Sequence, residues 1–252
     1  MRSHHMSWKG SLMSYAALIR PVVDRVYLSV RVAARPALRE AYARFGVGRG
    51  FESSFYFGLL ARPLSAAAFA AATTYSGSDM TVEVEQGTAW RDEAGDWHLT
   101  ERGRQVAAAV QRVLGETAER LWSHRPIPTM PGLAGLDRLN DLTAILLEAG
   151  RSSGGPAFLG LTPVFEPEDA SAATRLTTRL GALRHHRGDA HRAAWRAEGL
   201  TVEQVEALED GPVRERIEAE TNRLDAPIYT ALTDDQRWAL LAGLGALPDR
   251  FA

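Results

Sequence analysis

One short stretch of this chain carries a strand pattern, and every long segment carries a helical one. Trp90 and Trp97 flank the polar run Arg91-Asp92-Glu93-Ala94-Gly95-Asp96. Two bulky β-favouring residues around a glycine-containing turn read as a short β-hairpin. On either side, apolar residues recur at three- and four-residue intervals. A single hairpin cannot supply a sheet-based core, so the core has to be helix on helix. The expected fold class is mainly α with a small β wing.

The spacing predicts a helix over Tyr15 to Val32, with Leu18, Val22, Val26 and Val30 on one stripe and its start near Arg20, because Pro21 is tolerated in a first turn. A second short helix is expected from Pro36 to Phe45, closed by Gly46 and Gly48. Phe51 to Ala61 is aromatic and apolar and reads as a buried helix that Pro63 ends. Ser65 is a good N-cap for Ala66 to Tyr75, and Asp79 to about Ala89 reads as another helix. A long amphipathic helix follows over roughly Glu101 to Trp122, with Val106, Val110, Leu114, Ala118 and Leu121 inward. Ser123 to Gly135 is rich in proline and glycine and reads as a linker. Beyond it, helices are expected over 136–148, 168–183, 188–198, 202–208, 212–224 and 233–247, with an Arg214–Glu218 pair and Thr233 as a cap. The division is 11–125, a linker at 126–135, and 136–252.

Composition narrows the chemistry. The 252 residues carry 29 Lys and Arg against 31 Asp and Glu, so bulk positive charge cannot hold a nucleic acid. The absence of cysteine excludes disulfides, thiolate nucleophiles, thiolate zinc sites and iron–sulfur clusters. Lys9 is the sole lysine and sits by the start, which argues against Schiff-base or P-loop lysine chemistry. No apolar run is long enough to span a bilayer, and Met1 to Gly10 lacks the apolar core of a secretion signal, so the cytoplasm is the expected compartment. No cofactor motif is present, and no membrane contact is expected. Gly150-Arg151-Ser152-Ser153-Gly154-Gly155 lacks the lysine and the strand–loop–helix frame of a phosphate loop. Without a Gly-x-Ser-x-Gly elbow, serine hydrolase chemistry has no motif to rest on.

From Ser65 to Trp122 the order is helix, turn, helix, hairpin, then Leu99-Thr100-Glu101-Arg102-Gly103-Arg104 opening a long helix. This resembles the winged helix-turn-helix of MarR-type regulators, in which such a segment follows the wing and opens a dimerisation helix. The runs Phe57-Gly58-Leu59-Leu60-Ala61-Arg62-Pro63-Leu64 and Leu183-Arg184-His185-His186-Arg187-Gly188-Asp189-Ala190-His191 are similar to a poorly characterised actinobacterial helix-turn-helix family with two degenerate winged-helix units. The resemblance implies tandem winged helix-turn-helix-like units forming a pseudo-dimer, and transcription regulation through duplex DNA.

Charge distributes unevenly over such units. Between Ser76 and Glu101 seven acidic residues face Arg91 alone, a net of −6 that repels phosphate. In the expected recognition helix, Gln86 is the one side chain suited to reading bases. Between Thr174 and Glu198 six arginines face Asp189 and Glu198, a net of +4. Arg184, Arg187, Arg192 and Arg196 are therefore the candidate nucleic-acid contacts; the other reading is a solvated helix face whose arginine stems cover apolar surface. Residues 20–49 hold seven arginines against Asp24 and Glu40, either a second phosphate surface or the outer face of a buried valine stripe.

His185, His186, Asp189 and His191 form the densest titratable group. An imidazole beside a carboxylate can serve as a base, but no complete metal pattern is present and Gly188 threatens the helix. A small-molecule cavity between the two halves is the better use, with Tyr56, His186, Asp189, His191 and Trp195 as candidate ligand contacts and Phe51, Phe55 and Phe57 as apolar lining; the plain alternative is a hydrophobic core at that junction. Beside a protein-interaction module using the acidic wing, two functions follow. The first is a ligand-responsive, DNA-binding transcriptional regulator of MarR-like type. The second is a winged-helix scaffold that has lost DNA binding and binds, sequesters or transforms a small molecule. Neither reading names a reaction, and both are compatible with an oligomer.

Overall fold

The computed structural model describes residues 12–48, 50–51, 53–123 and 133–251. The expected linker lies outside them as far as Gly132. The first helix, α1 (Leu12–Phe45), runs unbroken through Pro21 and Pro36. The two helices expected here are one, because the buried stripe continues through both prolines. Ala16, Ile19, Val23, Val26, Val30, Ala34 and Leu38 are all in the core. Burial at each turn outweighs the missing N–H hydrogen bonds. The stripe is also rotated from the expected one: Leu18 is 46% exposed.

α2 (Ser54–Ala61) is buried along nearly its whole length, as its composition demands. α3 (Ala66–Thr73) starts at Ser65, whose Oγ accepts from Ala68 N–H at 3.2 Å. α4 (Thr81–Glu85) is only five residues, much shorter than expected, and is entered through Met80 in the left-handed region (φ 63°). β1 (Ala89–Arg91) and β2 (Trp97–Leu99) pair antiparallel, with Trp90 opposite His98 and Arg91 opposite Trp97. Trp97 also bridges to Leu64, which ties the wing to the loop before α3.

α5 (Glu101–Ser123) follows at once. Thr100 Oγ1 accepts from Gly103 N–H at 3.1 Å and donates to Gly87 O at 2.8 Å, so one hydroxyl caps the helix and pins the wing base. A Cβ on Gly103 would overlap the Thr88 carbonyl oxygen. The threonine and glycine of that segment are thus both fixed by the approach of α5 to the wing.

The later half holds α6 (Leu136–Gly150), α7 (Pro156–Leu161), α8 (Ala172–Ala197), α9 (Val202–Glu206), α10 (Pro212–Asp225), a 3-10 turn (Ala226–Ala231) and α11 (Asp234–Gly245). The segments expected at 168–183 and 188–198 are one helix, since Gly188 is carried within α8 by packing on both flanks. α9 and α11 each begin with a complete capping box, Thr201 with Gln204 and Thr233 with Gln236. Glu218 does not pair with Arg214, which turns to Asp210 at 3.6 Å.

α1, α5 and α8 form the centre, with α10 and the 3-10 turn against α1 and α6 against α8. One apolar core runs from Tyr15 to Leu247, so both halves share it. Among the described residues, no helix is long and apolar enough to cross a membrane.

Candidate functional site

Between α1 and α8 the core opens into a cavity of about 610 Å³. The α1 wall is the face Ile19, Arg20, Val23, Asp24, Tyr27, Arg31. The α8 wall is the face Leu180, Leu183, Arg184, Arg187, His191 and Arg192, with His185 beside it. Both sets repeat at three and four residues, so each wall is one side of one helix. Unbroken passage of α8 through Gly188 is what keeps its wall on one side. Phe55 from α2, Tyr75 from the turn after α3, and Thr221 and Glu218 from α10 also line it. Leu146 from α6 and Leu240 and Leu244 from α11 add apolar lining.

The charged groups form a chain across three helices. Arg184 Nε lies 2.6 Å from Asp24. Arg20 reaches Asp24 at 3.7 Å and Glu218 at 3.0 Å. Arg187 bridges Glu218 at 3.3 Å and Asp225 at 3.4 Å. The guanidinium of Arg31 sits 3.4 Å from the centre of the Tyr27 ring, and that of Arg184 sits 4.5 Å from it. Arg192 pairs with Asp189 from behind the wall. Among the described residues, five arginines line the cavity with Asp24 and Glu218, and Asp189 and Asp225 pair with Arg192 and Arg187 from behind the wall.

These cations set the state of the histidines. Burial first, then Arg192, Arg184 and Arg31, hold the His185 imidazole down to about 3, so it is neutral near pH 7. His191 is also lowered, by burial above all and by Arg20, Arg187 and Arg192, against an opposing pull from Glu218. Its Nδ1 lies 2.6 Å from Tyr75 Oη, to which Trp195 Nε1–H donates at 3.0 Å. Burial raises the Tyr75 phenol above its ordinary range. Tyr75 is therefore a neutral hydroxyl linking the first half to two α8 residues four apart.

Of the candidate ligand contacts, His191 lines the cavity and Trp195 reaches it through Tyr75. The other three serve elsewhere. Tyr56 is buried with its hydroxyl on Glu83. Asp189 accepts from Phe158 N–H at 2.8 Å and Ala157 N–H at 3.3 Å. His186 is 1% exposed and faces away from the cavity. Of the candidate nucleic-acid contacts, Arg184, Arg187 and Arg192 face this cavity in ion pairs, and Arg196 alone is exposed, over the Trp195 ring. Sequence reasoning missed His185 as a wall residue, and missed Arg20, Asp24, Arg31, Tyr75 and Glu218. The four-residue spacing of Arg20 with Asp24 was the available signal; the partners across the cavity had none.

The expected reading head differs too. Glu83 is buried against Tyr56 and so is not presented on the outer face of α4. Gln86 takes Gly48 N–H at 3.2 Å on its side-chain oxygen. Exposed Val82, Val84 and Glu85 remain on α4. Arg102 donates to Gln86 O and Phe45 O, both at 3.0 Å, and joins the ends of α1 and α4 to the start of α5. Among the described residues, no three imidazole or carboxylate groups converge as a metal set would.

A model of a helix-turn-helix family matches residues 19–212, from the first cavity residue on α1 into the start of α10. The chain belongs to this helix-turn-helix family. No curated protein and no solved structure matches it. The family match covers α3, α4 and the wing, and with them both long cavity walls. This helix-turn-helix protein therefore carries its cavity inside the matched span, with Glu218 the charged lining residue beyond it.

Proposed function

We propose that this helix-turn-helix protein is a small-molecule receptor, and that its ligand, seated between α1 and α8, has an apolar body and an acceptor-rich, anionic head. The observation that carries this is the composition of the two facing walls. Among the described residues five arginines line the cavity beside two carboxylates, both histidines are neutral, and Leu146, Leu240 and Leu244 supply apolar surface. Such a volume with a few convergent polar groups is the ordinary form of a ligand site.

The test uses a fluorescent apolar sulfonate and an uncharged analogue of the same size. The sulfonate should bind at one site and raise the melting temperature. By linkage, stabilisation reaches about 2.7 kcal/mol at one hundred times the dissociation constant. Arg184→Met should weaken the sulfonate at least tenfold and leave the analogue unchanged. Equal losses for both compounds would remove the anionic head from the proposal, and no binding of either would remove the receptor.

A second reading, a ligand-responsive DNA-binding regulator of MarR-like type, is favoured by the helix–turn–helix–wing order and by exposed arginines beside it. Arg35, Arg39 and Arg44 are exposed along the last turns of α1, which Arg102 ties to α4. On this reading the phosphate contacts lie there and at Arg196, since Arg184, Arg187 and Arg192 would have to leave their carboxylates. Duplex binding whose salt slope shallows in Arg39→Ala and Arg44→Ala supports it. Binding that is absent at low salt leaves the receptor alone.

A further inference from the structure

The Gly150–Gly155 run, which resembles a phosphate loop only in outline, has a different use on the side of α8 away from the cavity. Ser153 Oγ lies 3.0 Å from His186 Nε2, and His186 Nδ1 lies 2.8 Å from Asp225 Oδ1. His186 and Asp225 are each 1% exposed, whereas Ser153 is at the surface. The loop can present that serine because its glycines leave room. A Cβ on Gly150 would stand 2.6 Å from Phe158 Cζ and 3.4 Å from His186 Cδ2, and one on Gly155 would stand 2.7 Å from Asp189 Cγ. Phe158 meets the imidazole edge-on, with ring centres 5.2 Å apart, so the ring orientation is fixed on both sides.

Asp225 also accepts from Arg187 at 3.4 Å and from the Tyr229 hydroxyl at 3.4 Å. Its carboxylate is an acceptor for every neighbour, so the His186 proton belongs on Nδ1 and the lone pair on Nε2. That lone pair faces the Ser153 hydroxyl. A serine, an imidazole in the acceptor tautomer and a buried carboxylate in this order are recognised by geometry, whatever their places in the sequence. The absent Gly-x-Ser-x-Gly elbow therefore excluded less than the sequence argument supposed.

We propose that Ser153 is an activated nucleophile that accepts acyl groups from esters with good leaving groups, with His186 as its base and Asp225 as the positioning residue. Ser153 Oγ attacks the carbonyl carbon of an aryl ester while its proton passes to His186 Nε2. The bond from carbonyl carbon to aryl oxygen then breaks, and the phenolate takes that proton. The products are an acyl ester on Ser153 and a free phenol; water releases the acid by the same proton path. The N–H groups at the start of α7, Ala157 and Phe158, are already bound to Asp189 and cannot serve the oxyanion. A missing donor of that kind costs about 100- to 1000-fold in each step, so turnover should be slow, and the acyl ester accumulates because nitrophenolate leaves far more readily than the serine alkoxide.

The experiment treats the full chain with p-nitrophenyl acetate and follows the nitrophenolate burst and the acetylated peptide by mass spectrometry. The expected result is a burst approaching one equivalent and acetyl on Ser153. Without the Ser153 hydroxyl there is no acyl acceptor, so Ser153→Ala should abolish the burst while Ser152→Ala leaves it unchanged. Both serines are at the surface, so neither change threatens the fold. Ring nitrogen shifts of His186 should report the proton on Nδ1 in the wild type and its departure in Asp225→Asn, a readout that loss of packing alone would not give. A fall of less than tenfold in Ser153→Ala, or acetyl found elsewhere with Ser153 unmodified, overturns the proposal.

Discussion

Replacing Asp189 by alanine should cost this protein more stability than any surface change, and the structure says how much. Asp189 is 9% exposed, and its partner Arg192 is 3% exposed. Its two oxygens take the N–H groups of Ala157 and Phe158 and the Arg192 guanidinium. Removing the carboxylate strands a buried cation and two donors at the start of α7. Breaking a buried pair on one side costs about 3–5 kcal/mol. For a chain this long each kcal/mol moves the melting temperature by about 2–4 °C, so Asp189→Ala should melt roughly 6–20 °C lower. A compensated pair separates the charge from the hydrogen bonds. Asp189→Asn with Arg192→Met keeps an acceptor for α7 and removes the cation, and should recover most of the loss. Asp189→Leu with Arg192→Met leaves the two N–H groups unpaired, at about 1–3 kcal/mol, and should fall between. Differential scanning calorimetry on the four proteins checks the order. An Asp189→Ala protein within about 1 kcal/mol of the wild type would refute the assignment of Asp189 to structure.

His185→Gln should flatten the acid limb of stability: the folded imidazole stays neutral down to about 3, the unfolded one takes its proton near 6.5, and stability is therefore lost as pH falls below that value, at up to about 1.4 kcal/mol per pH unit. Urea midpoints at pH 5 and pH 7.5, compared between the two proteins, measure it; identical slopes would show that His185 is protonated in the fold. Gly103→Ala should destabilise by about 1–2 kcal/mol, because overlap with the fixed Thr88 carbonyl outweighs the roughly 1 kcal/mol an alanine adds to a helix; a stabilised variant would contradict the tight wing junction. Tyr75→Phe removes the hydroxyl shared by Trp195 and His191 and should cost about 0.5–1.5 kcal/mol, read by chemical denaturation, with a change in Trp195 emission.

Much of the local structure was legible. Ser65 as a cap, Thr233 as a cap, the Trp90–Trp97 hairpin, and α5 with its Thr100 and Gly103 all follow from residues within a few positions of one another. The errors share a cause. Propensity places helix boundaries at Pro36 and Gly188, yet α1 and α8 run through both, held by apolar contacts that no local pattern contains. Gly150 to Gly155 carries no local motif, yet its serine lies against a histidine 33 positions away, which in turn meets an aspartate 39 positions further on.

The arginines mark the boundary most sharply. The sequence by itself determined that Arg184, Arg187 and Arg192 share a helical face and that a positive excess lies there. Whether that face meets solvent or an enclosed volume was decided by Asp24, 160 positions before Arg184, and by Glu218, 31 positions after Arg187. Periodicity fixes which side chains point together because it is a property of one helix. What they point at depends on which other helix is packed opposite, and that follows from the summed burial of the whole core.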